Sequence, residues 1–168
     1  MEGGRLIEIP SSIDNLIRGL KEHDKPVTQL IQDYRIAFEA DITNMLIGPL
    51  AEAKHIAEID NEPFNYKLVN LDALRNYGGS SDLILVNDYL HSFSTDMQLK
   101  EQTLAQLFTA AFDFVNEGAN WAAITGLAHY ILEGTKNIIG YEEVVLILDQ
   151  SAADFKNSRI KARQYSNG

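Results

Sequence analysis

The sequence predicts an all-α fold, and three observations carry that expectation. Apolar residues recur at spacings of three and four along most of the chain, the period of one helix face. The four prolines all fall where a helix should start or stop. From Ala119 to Leu132 no residue is charged, and a helix that is apolar or small all round is expected to be surrounded by other elements.

Each element follows from local pattern. Ser11 or Ser12 can cap a short helix through His23, with Ile13, Leu16, Ile17 and Leu20 on one face. Residues 1–24 thus read as an extension to a core bundle of 27–168. Pro26 sits as a first-turn proline of a second helix, whose stripe of Leu30, Ile31, Tyr34, Ala37, Phe38, Ile42 and Met45 is expected to stop at Gly48-Pro49. A short helix over 51–59 follows, then a loop over 60–67 containing Asn61, Pro63 and Asn65, then a helix over 68–77 that Gly78-Gly79 ends. Ser80 or Ser81 can cap a segment over 82–92 with Leu83, Ile84, Val86, Leu90 and Phe93, whose β-branched content leaves a strand open as an alternative.

Over 100–117 the stripe Leu104, Leu107, Phe108, Ala111, Phe112 and Val115 has clear helical period. Gly118 stands where a left-handed closing residue belongs, and Asn120 where a cap belongs for a helix at about 120–136. A last helix over 141–156 repeats Val144, Ile147, Leu148, Ala152 and Phe155 after Gly140. The charge-free helix has small residues, Ala122, Ala123, Gly126 and Ala128, that let neighbours approach, and bulk from Trp121, Ile124, Leu127, Ile131 and Leu132. The expected architecture is a bundle with this helix buried at its centre and amphipathic helices wrapped round it.

Composition bounds the rest. A chain of 168 residues fits one domain, 1–168, and can bury roughly 70% of its unfolded surface. With 14 Lys and Arg against 24 Asp and Glu the net charge is −10, which argues against binding nucleic acid or an anionic membrane with the molecule as a whole. No cysteine is present, so zinc ribbons, thiol catalysis and a disulfide scaffold are excluded and a cytoplasmic setting is expected. The charge-free run of 14 residues is short of the ~20 a spanning helix needs, so no membrane span is expected. Glu2, Arg5 and Glu8 make the first ten residues unlike a secretory leader.

Catalytic chemistry finds little support. Of His23, His55, His91 and His129, only His55 completes a Glu-x-x-His pair, with Glu52; Asp88 with His91 does not supply the second pair a di-metal carboxylate site needs. No phosphate loop, dinucleotide fingerprint, nucleophile elbow or HExxH is present. The chain is therefore expected to be no enzyme and to carry no cofactor or metal. Binding remains: helical domains present apolar grooves into which a partner's amphipathic helix can lay its face. Phe112 and Phe114 are two residues apart, about 200° around the axis, so with Phe112 and Val115 inward Phe114 points to a surface.

The run Phe114-Val115-Asn116-Glu117-Gly118-Ala119-Asn120-Trp121-Ala122-Ala123-Ile124 resembles the first homology motif of the Bcl-2 family of apoptosis regulators, Leu-Phe-x-Asp-Gly-x-Asn-Trp-Gly-Arg-Ile. Leu71-Asp72-Ala73-Leu74-Arg75-Asn76-Tyr77-Gly78-Gly79 looks like the third motif, Ala-Leu-Arg-x-x-Gly-Asp, and Leu30-Ile31-Gln32-Asp33-Tyr34 looks like the family's first helix. The resemblance covers about 27–168. It implies a Bcl-2-like bundle, with Gly118, Asn120 and Trp121 as the structural motif of the helix corner. It also implies a groove between the helices of 68–92 and 100–117, floored by the buried helix and lined by Leu85, Tyr89, Leu107, Ala110, Phe114, Asn120, Ala123, Gly126 and Tyr130.

The departures are as informative. Ala123 replaces the arginine that in the family pairs with an aspartate of the bound helix, and Gly79 replaces the third motif's aspartate, which speaks against an executioner role. The second motif survives at most as Tyr165-Ser166-Asn167-Gly168. The resemblance thus implies a divergent, viral-type inhibitor of apoptosis. Its partners would be the helical death motifs of pro-apoptotic relatives, taken with narrow choice, and it would act in the cytoplasm or, through partners, at the mitochondrial outer membrane. The alternative is a Bcl-2-fold homodimer acting outside that pathway, with its groove occluded by the helix at 11–23.

Overall fold

The computed structural model describes residues 27–166, so the expected helix at 11–23 lies outside the described residues. Five α-helices account for most of these residues: α1 (Val27–Ile59), α2 (Ser80–Phe93), α3 (Met97–Asn116), α4 (Gly118–Glu133) and α5 (Tyr141–Ser166), with a single 3-10 turn at Ala73–Asn76. No strand occurs among the described residues, so the 82–92 segment resolves as helix. The chain divides into two compact units, with the boundary between Phe112 and Asp113, inside α3.

The first unit is built on α1. The expected stop at Gly48-Pro49 does not occur: the helix runs 33 residues with Pro49 inside it. A proline there loses one hydrogen bond and crowds the carbonyl four residues back, a cost of about 3 kcal/mol. The inward stripe offsets it, because Ile42, Leu46, Leu50 and Ala53 are all buried on both sides of the proline, and each full aliphatic burial contributes roughly 1.5–3 kcal/mol. Pro49 also becomes a packing surface. A Cβ on Gly79 would lie 2.9 Å from the Pro49 ring and 2.7 Å from the Leu74 carbonyl, while Gly78 takes a φ of +70°. The two glycines therefore have separate jobs, one for the left-handed turn and one for the close approach.

The helix expected over 68–77 shortens to the 3-10 turn. Asn65 accepts hydrogen bonds from the Lys67 and Leu68 amides, and Asn70 accepts one from the Ala73 amide; such local side-chain bonds offer the backbone an alternative to a helix. Leu74 nonetheless fills the core. Neither Ser80 nor Ser81 caps α2: Gly79 is its N-cap residue, and the Ser80 hydroxyl donates to the Arg75 carbonyl.

The inward face of α3 carries Lys100, Thr103, Leu107, Phe108, Ala111 and Phe112. Phe112 is 1% exposed. Phe64 stacks on it at 4.4 Å and Tyr66 at 3.9 Å, so two aromatics of the 60–67 loop bind that loop to α3. Phe38 on α1 and Phe93 at the end of α2 stack at 4.5 Å.

The second unit is an antiparallel hairpin of α4 and α5 entered through the end of α3. Its corner is hydrogen-bonded in both directions. Glu117 is the N-cap of α4 and its carboxylate accepts from the Asn120 amide at 2.8 Å, while the Asn120 side chain donates to the Phe114 carbonyl at 3.1 Å. Gly118 is thus the first residue of α4 and not a left-handed terminator; among the described residues Gly78 is the glycine with positive φ. Gly118 is required by contact instead, since a Cβ there would meet the Phe155 ring, and one on Gly126 would meet Ser151, its Cβ at 2.8 Å.

One expectation about this unit changes. Helix α5 runs to Ser166, ten residues past the expected end, because no breaker lies between Phe155 and Ser166. Helix α4 has only Ala119 buried, and Leu132 is 81% exposed. Within the unit it packs on α5.

Two core substitutions test this packing. Leu46→Ala should lower stability to denaturant by about 2–5 kcal/mol, read from the unfolding midpoint. Gly126→Ala separates packing from propensity. Helix propensity alone would stabilise the chain by up to ~1 kcal/mol, whereas the close approach to Ser151 predicts a loss that Ser151→Gly restores. A stabilised single variant would refute the contact.

Candidate functional site

The outer side of α2 is where the first unit opens. The inward residues Val86, Tyr89 and Leu90 are buried, and the arc beside them, Ile84, Asn87 and His91, repeats at three and four and is exposed. A cavity of about 440 Å³ lies along this arc, lined by Leu71, Asp72, Arg75, Leu83, Ile84, Val86, Asn87 and Leu104. A second of about 110 Å³ is lined by Asn87, Leu90, His91, Met97, Lys100, Glu101 and Leu104. The two share Asn87 and Leu104, so they form one groove between the 3-10 turn, α2 and the first half of α3.

The groove has an apolar floor and a charged rim. Leu83, Val86, Leu90 and Leu104 supply the floor, and Ile84 stands on its edge at 60% exposure. Arg75 and Asp72 mark the end at the 3-10 turn, Lys100 and Glu101 the end at α3. Lys100 is buried, 8% exposed. An apolar trough with a few polar groups at its ends is a shape that small molecules and short amphipathic segments both use. Among the described residues no three His, Asp or Glu side chains converge as a metal site would require.

The residues expected to line a groove are distributed differently. Tyr89 and Leu107 are core residues, 2% and 8% exposed, and so cannot face a partner in this conformation. Leu85 is half-buried on the other flank of α2, since two residues separate it from Asn87 by about 200°. Ala110 and Phe114 are exposed, four residues apart on α3. Asn120, Ala123, Gly126 and Tyr130 belong to the second unit. There Asn120 closes the corner, Gly126 is taken up by Ser151, and Ala123 is half-buried. Trp121 is half-buried, and its carbonyl accepts from the Thr125 hydroxyl. Ile84, Asn87, His91 and Leu104 were legible in helical spacing alone. Arg75 was not, because the turn that presents it reads as a longer helix.

Tyr130 has a partner of its own. Its hydroxyl donates to the Glu143 carboxylate, which also accepts from the Lys136 ammonium at 2.6 Å, so three residues clasp the two ends of the hairpin loop. The Lys136 and Tyr130 hydrogen bonds hold the Glu143 carboxyl below its ordinary range. The same contacts with Glu143 hold Tyr130 and Lys136 above theirs. The sign follows for each: the Glu143 contribution is full at neutral pH and lost as the carboxylate is protonated in acid, and the Tyr130 and Lys136 contributions are lost as pH rises through the alkaline range. Lowering the pH from ~7 to ~3 should therefore reduce the melting temperature less for Glu143→Gln than for the wild type, with a small difference that salt reduces. Parallel curves would show that the clasp carries no stability.

Compared with known proteins, the chain matches no family model, no curated protein and no solved structure.

Proposed function

We propose that the chain is a divergent Bcl-2-like inhibitor of apoptosis that sequesters the amphipathic death-motif helix of pro-apoptotic relatives, with α4 corresponding to the family's central helix. The observation that carries the reading is the groove along α2. It opens between segments 68–92 and 100–117, where the motif resemblance puts the family's binding surface, and it pairs a leucine and valine floor with an exposed Ile84. The motif residues add support. Glu117 and Asn120 make the reciprocal hydrogen bonds of a tight helix corner, which gives the Glu-Gly-x-Asn-Trp run a physical reason to exist.

In this reading the partner is held chiefly by apolar contacts. Ala123 stands in place of the arginine that would pair with the partner's aspartate, and an interfacial carboxylate left without its cation costs on the order of 2–5 kcal/mol. Ligand choice is accordingly narrow. Titration of fluorescent death-motif peptides against the full chain tests it. A minority of peptides should bind, and Ile84→Glu should abolish that binding without unfolding the chain. Binding of no peptide, or binding that Ile84→Glu leaves intact, overturns the groove. Nanomolar binding of most peptides by the wild type overturns the narrow choice.

A further inference from the structure

The end of α5 carries a charge pattern that neither the fold nor the groove uses. Lys156, Arg159, Lys161 and Arg163 fall within eight residues, and all 24 acidic side chains of the chain lie before Phe155. Gly118, the first residue of α4, meets Phe155, so α5 continues past the start of its partner helix. Residues 156–164 are all exposed, and the run from 156 to the helix end extends about 16 Å at ~1.5 Å per residue. That is about two Debye lengths at physiological salt, so Lys161 and Arg163 stand more than one Debye length along the axis from Asp154, the last acidic residue.

Helix stability does not account for them. No acidic residue stands three or four positions from any of the four, and none pairs with a carboxylate among the described residues. Lys156 with Arg159 and Arg159 with Arg163 are instead like-charged neighbours on one face, which destabilise a helix. The helix dipole favours cations only in the last turn, which includes Arg163 and excludes Lys156 and Arg159. The face is also not purely polar: Ile160, 56% exposed, lies about 40° round the wheel from Lys156, at the edge of the arc that Lys156, Arg163 and Arg159 make. Arg159 sits 5.7 Å over the Phe155 ring, so the cation nearest the hairpin is positioned by a residue that the hairpin itself seats.

We propose that this end of α5 docks on anionic phospholipid surfaces, with Lys156, Arg159 and Arg163 on the headgroup anions and Ile160 at the acyl boundary. Clusters of basic residues on an amphipathic helix bind such surfaces through charge, and an adjoining exposed apolar residue adds burial. Ile160 favours lipid over nucleic acid, because an aliphatic side chain gains nothing from a sugar-phosphate backbone and the one aromatic of this segment with a described side chain, Phe155, is already covered by Arg159. The proposal is independent of the groove.

Co-sedimentation of the full chain with phosphatidylcholine vesicles, with and without ~30% phosphatidylserine, tests it. Binding to the anionic vesicles should exceed that to neutral ones by about ten-fold or more and should fall as salt is raised. The combined variant K156Q, R159Q and R163Q should lose it with helicity unchanged, and Ile160→Ser should weaken it at fixed charge. No preference for anionic vesicles overturns the proposal. So does a triple variant that binds as well as the wild type, or binding that a single-stranded oligonucleotide displaces and Ile160→Ser does not change.

Discussion

Helix α1 has to pass through Pro49, and the first unit is assembled on the stretch that surrounds it. A proline at mid-helix survives only when neighbouring residues gain more from staying in register than the chain loses at the break. Leu46 and Leu50, one on each side, are both completely buried. Were the helix to end at Gly48, the second half of α1 would be free to rotate, and Leu50 and Ala53 would leave the line of Phe38, Ile42 and Leu46. The turn that presents Arg75 depends on the same point, since Gly79 approaches the proline ring too closely for any side chain. One costly residue thus fixes the register of a helix and the seat of a turn.

The second unit is organised by the opposite device, the absence of side chains. Gly118 and Gly126 occur eight residues apart on α4 and both face α5, so the hairpin closes by letting backbone meet Phe155 and Ser151. This use has a functional consequence. Small residues on α4 that could have formed the floor of a binding surface are partly committed to α5, and Tyr130 is committed to Glu143. The apolar trough that is open to a partner helix lies instead along α2, where Val86 and Leu90 turn inward and leave Ile84 and Asn87 on the rim.

How much of this the sequence discloses depends on which physical signal each feature uses. Helical period is strong in α3 and the first half of α5, α4 is marked by its charge-free run, and the existence of all three is legible. The continuation of α1 is not, because Gly48-Pro49 is the strongest local stop signal there and only tertiary burial overrides it. The 3-10 turn fails for the converse reason: Leu71, Leu74 and Tyr77 have helical spacing, but Asn65 and Asn70 divert the backbone locally. In the candidate site, a helical wheel centred on Val86 places Ile84, Asn87 and His91 on one open arc. Family position selects Leu85 and Tyr89, the flank and the core. Burial is a property of what stands opposite, and a motif carries no record of that once the neighbours have diverged.

Charge sharpens the same distinction between total and arrangement. A net −10 describes the molecule seen from far away, where it disfavours anionic partners. Recognition takes place within roughly a Debye length of ~8 Å, and at that range the chain is not uniform. The rim of the groove alternates sign, with Asp72 and Arg75 at one end and Lys100 and Glu101 at the other. Each end of the rim is therefore locally neutral, and under the proposed function a helix along the trough would be oriented by where its own charges fall against these pairs. The end of α5, by contrast, is of one sign over two turns and gains by meeting a surface rather than a register. The acidic total therefore constrains neither surface directly: the groove rim is locally neutral and the end of α5 is locally cationic.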